Sequence, residues 1–118
     1  MFIRCAFFKG TIKPGCREAF DRYVDEKLVP IWTRFPGAME VRVMRPLECD
    51  VTNEPIEMVL AIRYPSREAI EAALNSAVRS EGREMTKGLL EMFDGAVFHT
   101  VFDATQFALP PAPPQRMA

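Results

Sequence analysis

His99 is the single histidine of the chain, so any proton transfer by an imidazole rests on it. Imidazole is the side chain whose unperturbed pKa lies closest to neutrality. His99 falls in AVFHTVFD, residues 96–103, with Val97 and Val101 at its own parity and Phe98, Thr100 and Phe102 at the other. Both parities are largely apolar, which leaves two roles open. It is either a satisfied core or interface histidine, or a general acid–base in a cavity, oriented by Asp103 or Glu40. Three arginines, Arg4, Arg42 and Arg63, lie in other segments of alternating pattern. A guanidinium withdrawn from water must be paired or must bind an anion. Either these arginines pair with Glu40 and Glu57 across strands, or one of them stabilises a carboxylate, enolate or phenolate. His99, Arg42 and Arg63 are therefore the candidate catalytic groups. Arg4, Phe8, Glu40 and Met44, read at the same parity, are candidate substrate contacts, and Trp32 is either a packing residue or part of a cavity mouth.

Other chemistries find no support. One histidine and cysteines without ligand spacing leave only scattered carboxylates, so no metal site is expected. There is no G-x-S-x-G elbow and no glycine-rich phosphate loop, and no cofactor is expected. Cys5, Cys16 and Cys49 are odd in number and form no CxxC pair, which reads as thiols in a reducing cytoplasm rather than a disulfide framework. The net charge of −1 gives no electrostatic footprint for nucleic acid or an acidic membrane. No apolar run approaches the roughly 18 residues of a membrane span, and the start MFIRCAFFKG lacks the order of a signal peptide.

A length of 118 residues corresponds to one domain, on a prior of about 100–200 residues each. FIRCAFF, residues 2–8, alternates as a strand, and Lys13-Pro14-Gly15 is a turn signal. Phe20, Val24, Leu28, Ile31 and Phe35 form a helical stripe that Pro36-Gly37 stops. Pro30 lies inside that stripe. Proline has no N–H to donate and its ring crowds the carbonyl four residues back, so a kink or break is expected near Val29. AMEVRVMR, residues 38–45, and IEMVLAIRY, residues 56–64, read as strands two and three, joined by a polar loop over 46–55. Ser66 is an expected N-cap for a helix with Ile70, Ala73, Leu74, Ala77 and Val78 on one face. Gly82 is expected to break or bend it, and a further helical segment runs over 83–93 to Asp94-Gly95. Residues 96–103 form the fourth strand.

Strand parity places Ile3, Cys5 and Phe7 toward the helices, with Met39, Val41, Val43, Met58, Leu60 and Ile62. The other face then carries Arg4, Ala6 and Phe8 beside Glu40, Arg42 and Met44, and Glu57, Val59, Ala61 and Arg63. The domain covers 1–107, and the proline-rich stretch 108–118 reads as an extended or disordered tail. The order β-α-β-β-α-β is that of the ferredoxin-like α+β fold: a four-stranded antiparallel sheet with both helices on one face. An uncovered sheet face usually has a partner, so a homodimer through that open face is expected.

FDRYVDEKLVPIW in the first helix, FPGAMEVRV leading into strand two, NEPIEMVLAIRYPSREAIEAALNS over strand three and the next helix, and FHTVF near the end resemble the EthD-like family of the dimeric α/β-barrel superfamily. The resemblance implies homodimers whose sheets pack face to face into a barrel, with a cavity in each protomer. It also implies catalytic relatives that are cofactor-independent monooxygenases, lactone isomerases or decarboxylases acting on small aromatic or polyketide-like compounds. Where the family often carries E-H-x-x-P, this chain has Glu26-Lys27-Leu28-Val29-Pro30. Lys27 thus takes the place of the family histidine and joins the candidate substrate contacts, normally as a fixed cation rather than a proton shuttle. Three functions follow as expectations: a cofactor-independent enzyme on a small hydrophobic carbonyl- or hydroxyl-bearing compound of a catabolic or biosynthetic pathway, a non-catalytic ligand-binding or accessory protein, or a stress-related or structural dimer.

Overall fold

The computed structural model describes residues 1–51 and 53–114. Four antiparallel strands, β1 (Phe2–Ile12), β2 (Glu40–Met44), β3 (Ile56–Tyr64) and β4 (Phe93–Asp103), form one sheet in the order β2-β3-β1-β4. Between β1 and β2 run α1 (Arg17–Tyr23), a π-helical turn (Val24–Leu28) and α2 (Val29–Trp32). Between β3 and β4 lie α3 (Arg67–Leu74) and α4 (Ala77–Leu90). The chain is therefore the expected α+β, ferredoxin-like arrangement. Residues 108–114 carry no helix or strand. Position 52 of the loop 46–55 and positions 115–118 of the proline-rich stretch lie outside the described residues.

The core sits between the sheet and the helices. Phe20, Val24, Leu28 and Trp32 pack from the first helical run against Met58, Leu60, Ile62 and Tyr64 of β3, and α3 and α4 add Ile70, Ala73 and Leu89. The period-3.6 stripe read from sequence is the buried one.

Pro30 does not break the helix. The Val29 N–H bonds back to the Val24 carbonyl, five residues away, so the turn before the proline widens by one residue. Of the kink or break expected near Val29, the break is absent: the irregularity takes the form of a widened turn that accommodates the proline ring without ending the run. Ladder bonding resumes at once, with the Thr33 N–H on the Val29 carbonyl at 3.0 Å.

The break in the second helical region also falls elsewhere. Ser66 caps α3, accepting from the Ala69 N–H at 3.0 Å as expected. The helix then stops at Asn75, and Ser76 caps α4, accepting from the Arg79 N–H at 3.3 Å. Gly82 lies buried inside α4, not at a break, and a Cβ there would stand 3.4 Å from Ile31. That is ordinary contact distance, so a methyl group would fit between α4 and α2. Asp94-Gly95 belongs to β4 rather than to a helix end.

One face assignment reverses. Ala6 pairs with Leu60 on β3 and with His99 on β4, and directly paired residues share a face. Leu60 belongs to the helix-side core, so Arg4, Ala6 and Phe8 face the helices and Ile3, Cys5 and Phe7 face away. Val41, Val43, Met58, Leu60 and Ile62 lie on the helix side as expected, whereas Met39 precedes β2 and is exposed. β1 is apolar at both parities, so alternation could not orient it. Its register beside the strongly patterned β3 does.

Candidate functional site

The register carries Arg4 and His99 to the same side of the sheet, beneath α4. A cavity of about 570 Å³ opens there. Its floor is Ala6, Phe8, Leu60, Ile62 and Val97, with Arg4 and His99 set among them. Trp32 and Phe35, at the end of the first helical run, close one side, and α4 supplies Arg79, Arg83 and Lys87 from above. Spacing by four residues puts those three cations on one face of the helix.

The charges in this cavity are unbalanced. Glu84 is the one carboxylate lining it among the described residues, and Lys87 engages it at 2.9 Å. Arg4 makes no ion pair among the described residues. It is half-buried, yet none of its nitrogens is sealed off without a partner, so the guanidinium still reaches the cavity space. Arg79 is held by α3: one of its nitrogens donates to the Leu74 carbonyl at 3.3 Å, at the helix end where carbonyls are free to accept. It also stands in the first turn of α4, which contains no acidic residue. A cation there opposes the helix dipole, at a cost of about 0.3–1 kcal/mol.

These charges act on one another. Burial, then Arg79, pulls the Arg4 pKa below its ordinary value, with a partial offset from Tyr64. Burial raises the Tyr64 pKa, and Arg4 opposes the rise. His99 lies on an edge strand and is open to solvent at the rim, but loss of surrounding water, Arg4 and Arg79 together lower its pKa from 6.5 to about 4. At neutral pH it is an uncharged imidazole, able to donate through one nitrogen and accept through the other.

The nine residues singled out in the sequence divide into three groups. His99, Arg4, Phe8 and Trp32 meet in the helix-side cavity. Arg42, Arg63, Glu40 and Met44 lie on the opposite, open face, around a second hollow of about 360 Å³ with Ile3 and Cys5. There Arg42 pairs with Glu40 at 2.6 Å along its own strand, and Arg63 points a nitrogen at the Met39 sulfur at 3.7 Å. Glu57 pairs with Arg17 and not with a strand arginine. Lys27 is exposed on the π turn and lines neither cavity. Arg42 and Arg63 lie on the open face as their own strands' alternation implied, whereas Arg4 was grouped with them through the reversed β1 parity; the sheet separates Arg42 and Arg63 from His99, whose face alternation left open. Sequence reasoning missed Arg79 and Arg83. Their signal was present in the Arg79-Arg83-Lys87 spacing, which puts cations on one helix face with a single nearby carboxylate.

No protein-family model matches this sequence, and no curated protein matches it. Solved structures do. An EthD family protein from Bacillus halodurans superposes with a TM-score of 0.66 at 15% identity, covering 89% of this chain and 100% of its own. The chain has that protein's fold. An antibiotic biosynthesis monooxygenase matches with a TM-score of 0.63 at 15% identity, over 90% of this chain and 100% of its own. A protein from Arabidopsis thaliana matches with a TM-score of 0.66 at 12% identity, over 92% of this chain and 100% of its own. The EthD-like resemblance carried by FDRYVDEKLVPIW and its companion segments is thus met by a shared ferredoxin-like fold.

Proposed function

We propose that the helix-side cavity binds a small, mostly apolar compound through a carbonyl or hydroxyl oxygen and stabilises negative charge on that oxygen. The observation that carries this reading is the convergence of Arg4, Arg79 and His99 on an apolar-walled cavity in which no carboxylate answers Arg4. Desolvated guanidiniums aimed at an oxygen are strong charge-assisted donors. The reading extends to proton transfer. A C–H or O–H bond next to the bound oxygen function breaks, its electron pair becomes the enolate or phenolate, and the proton moves to neutral His99. As that anion forms it offsets the two guanidiniums, and His99 becomes more basic as the reaction needs it to be. Such a step calls for no cofactor and suits an isomerase, a lyase or an oxygenase, the last being the kind of activity that one fold relative's name states.

A second reading, a carrier or accessory protein that binds the same compound without changing it, is favoured by one observation. With a pKa of about 4, free His99 is a weak base at neutral pH. Both readings include a homodimer formed through the open sheet face, where the Phe7 and Phe98 rings stack at 4.9 Å and Phe102 stands edge-on to Phe7.

As the single histidine, His99 gives an unambiguous imidazole signal in nuclear magnetic resonance. Titration with benzoate, 2-naphthoate and 2-naphthol is expected to shift that signal and raise the His99 pKa, and Arg4→Gln is expected to abolish both effects. An imidazole signal indifferent to the whole panel would overturn the cavity reading. For a compound that is turned over, His99→Ala separates the two readings: lost turnover with retained binding supports proton transfer.

A further inference from the structure

We infer that the preferred ligand of the helix-side cavity carries two anionic groups on a rigid apolar frame, about one helical turn apart, with Arg4 and Arg79 holding one group and Arg83 the other. This inference rests on the reading above and names the class of compound that the site selects. Four cationic side chains line the cavity, and Lys87 is the one taken up by the lining carboxylate. Arg34 occupies the nearby Glu81 at 2.8 Å. Arg83 therefore has no carboxylate partner among the described residues, and neither has Arg79, whose recorded side-chain bond is to a backbone carbonyl. A single anion between Arg4 and Arg79 leaves Arg83 uncompensated. Side chains four residues apart on a helix stand roughly 5–6 Å from each other at Cβ. Two carboxylates at the meta or para positions of one aromatic ring have a comparable separation. The apolar side of the cavity, formed by Phe8, Val97, Trp32 and Phe35, fits the frame between the charges. Arg79 and Arg83 also repel each other along α4, an arrangement unfavourable for the helix alone and relieved by a dianion.

Calorimetric titration with benzoate, isophthalate and terephthalate tests this. The two dicarboxylates are expected to bind at least about tenfold tighter than benzoate, the gain of one additional charge-assisted contact. Arg83→Gln, a change at an exposed helix position, is expected to weaken the two dicarboxylates far more than benzoate and so remove that advantage. Arg79→Gln is expected to weaken all three. Equal affinity for mono- and dicarboxylates, or an Arg83→Gln variant that loses benzoate and terephthalate alike, would overturn the two-anion inference and leave the cavity reading standing. Absence of binding by all three would overturn the inference, and with unresponsive imidazole signals the cavity reading too.

Discussion

His99 draws its properties from its surroundings. An imidazole on an edge strand is ordinarily half protonated near pH 6.5, but here water is partly displaced and two guanidiniums face the ring. Its folded pKa of about 4 lies below its unfolded value, so between pH 4 and 6.5 the unfolded chain binds more protons than the folded one. The stabilisation from His99 is fully present above pH 6.5 and is lost as pH falls toward 4. Thermal melts across that window are expected to fall less steeply for His99→Gln than for the parent chain. The comparison cancels the carboxylates, which titrate in both proteins. Equal slopes would show that the ring is not held neutral by its neighbours. A bound anion offsets part of the surrounding positive charge, so ligand is expected to shrink the difference between the two melts.

At the scale of the element, α4 roofs the cavity, and of the three residues Ser76, Gly82 and Gly88 the first and last fix where it lies. Ser76 starts it and thereby sets the turn that offers Arg79. Gly82 faces Ile31 at ordinary contact distance and leaves the position of the helix to the other two. Gly88 admits Tyr23, whose hydroxyl donates to the Met85 carbonyl at 2.7 Å, and a Cβ at Gly88 would fall 2.2 Å from that hydroxyl. A glycine-to-alanine change inside a helix ordinarily stabilises, by up to about 1 kcal/mol. At Gly88 the opposite sign is expected: a loss of about 1–3 kcal/mol as Tyr23 is displaced from its packed position. Denaturant unfolding of Gly88→Ala measures it, and the cavity is expected to change with it, since Tyr23 ties α4 to α1. A stabilised Gly88→Ala variant would show that this tie does not set the position of α4. The π turn has a parallel role on the other side of the cavity. By absorbing Pro30 it lets the run continue to Trp32, which closes one wall.

For the whole molecule, the two faces of the sheet differ in character. The helix side holds the cavity. The open side carries Phe7, Phe98 and Phe102 in aromatic contact, with Phe98 44% and Phe102 43% exposed. Large exposed apolar patches commonly mark interfaces. Phe98→Glu is expected to weaken self-association at least about tenfold, since a carboxylate would have to be desolvated among aromatic rings. Sedimentation velocity reads the change, and a parent chain that sediments as a monomer would sink the dimer proposal. His99 neighbours Phe98 but points to the other face, so ligand titration of the His99 signal in Phe98→Glu separates loss of the dimer from loss of the cavity.

The sequence by itself determined the element types and their order. Period-2 and period-3.6 patterns are local, and Met58-Leu60-Ile62 and Phe20-Val24-Leu28 each fix one buried face without reference to the rest of the chain. It also supplied His99, Arg4, Phe8 and Trp32 as candidates, because few other residues had suitable chemistry. What alternation could not decide was β1, where Ile3, Cys5 and Phe7 compete with Phe2, Ala6 and Phe8 for the core. A one-residue ambiguity in a strand moves every side chain to the other face, and pairing with β3 resolves it. That pairing separated Arg42 and Arg63 from His99 and brought Arg4 beside it. Arg79 and Arg83 joined the site only through packing, because the placement of α4 over the sheet is set by Gly88 against Tyr23 and by the cap at Ser76 and by nothing periodic. Local chemistry wrote the elements. Long-range register and close helix packing decided which charges share a cavity.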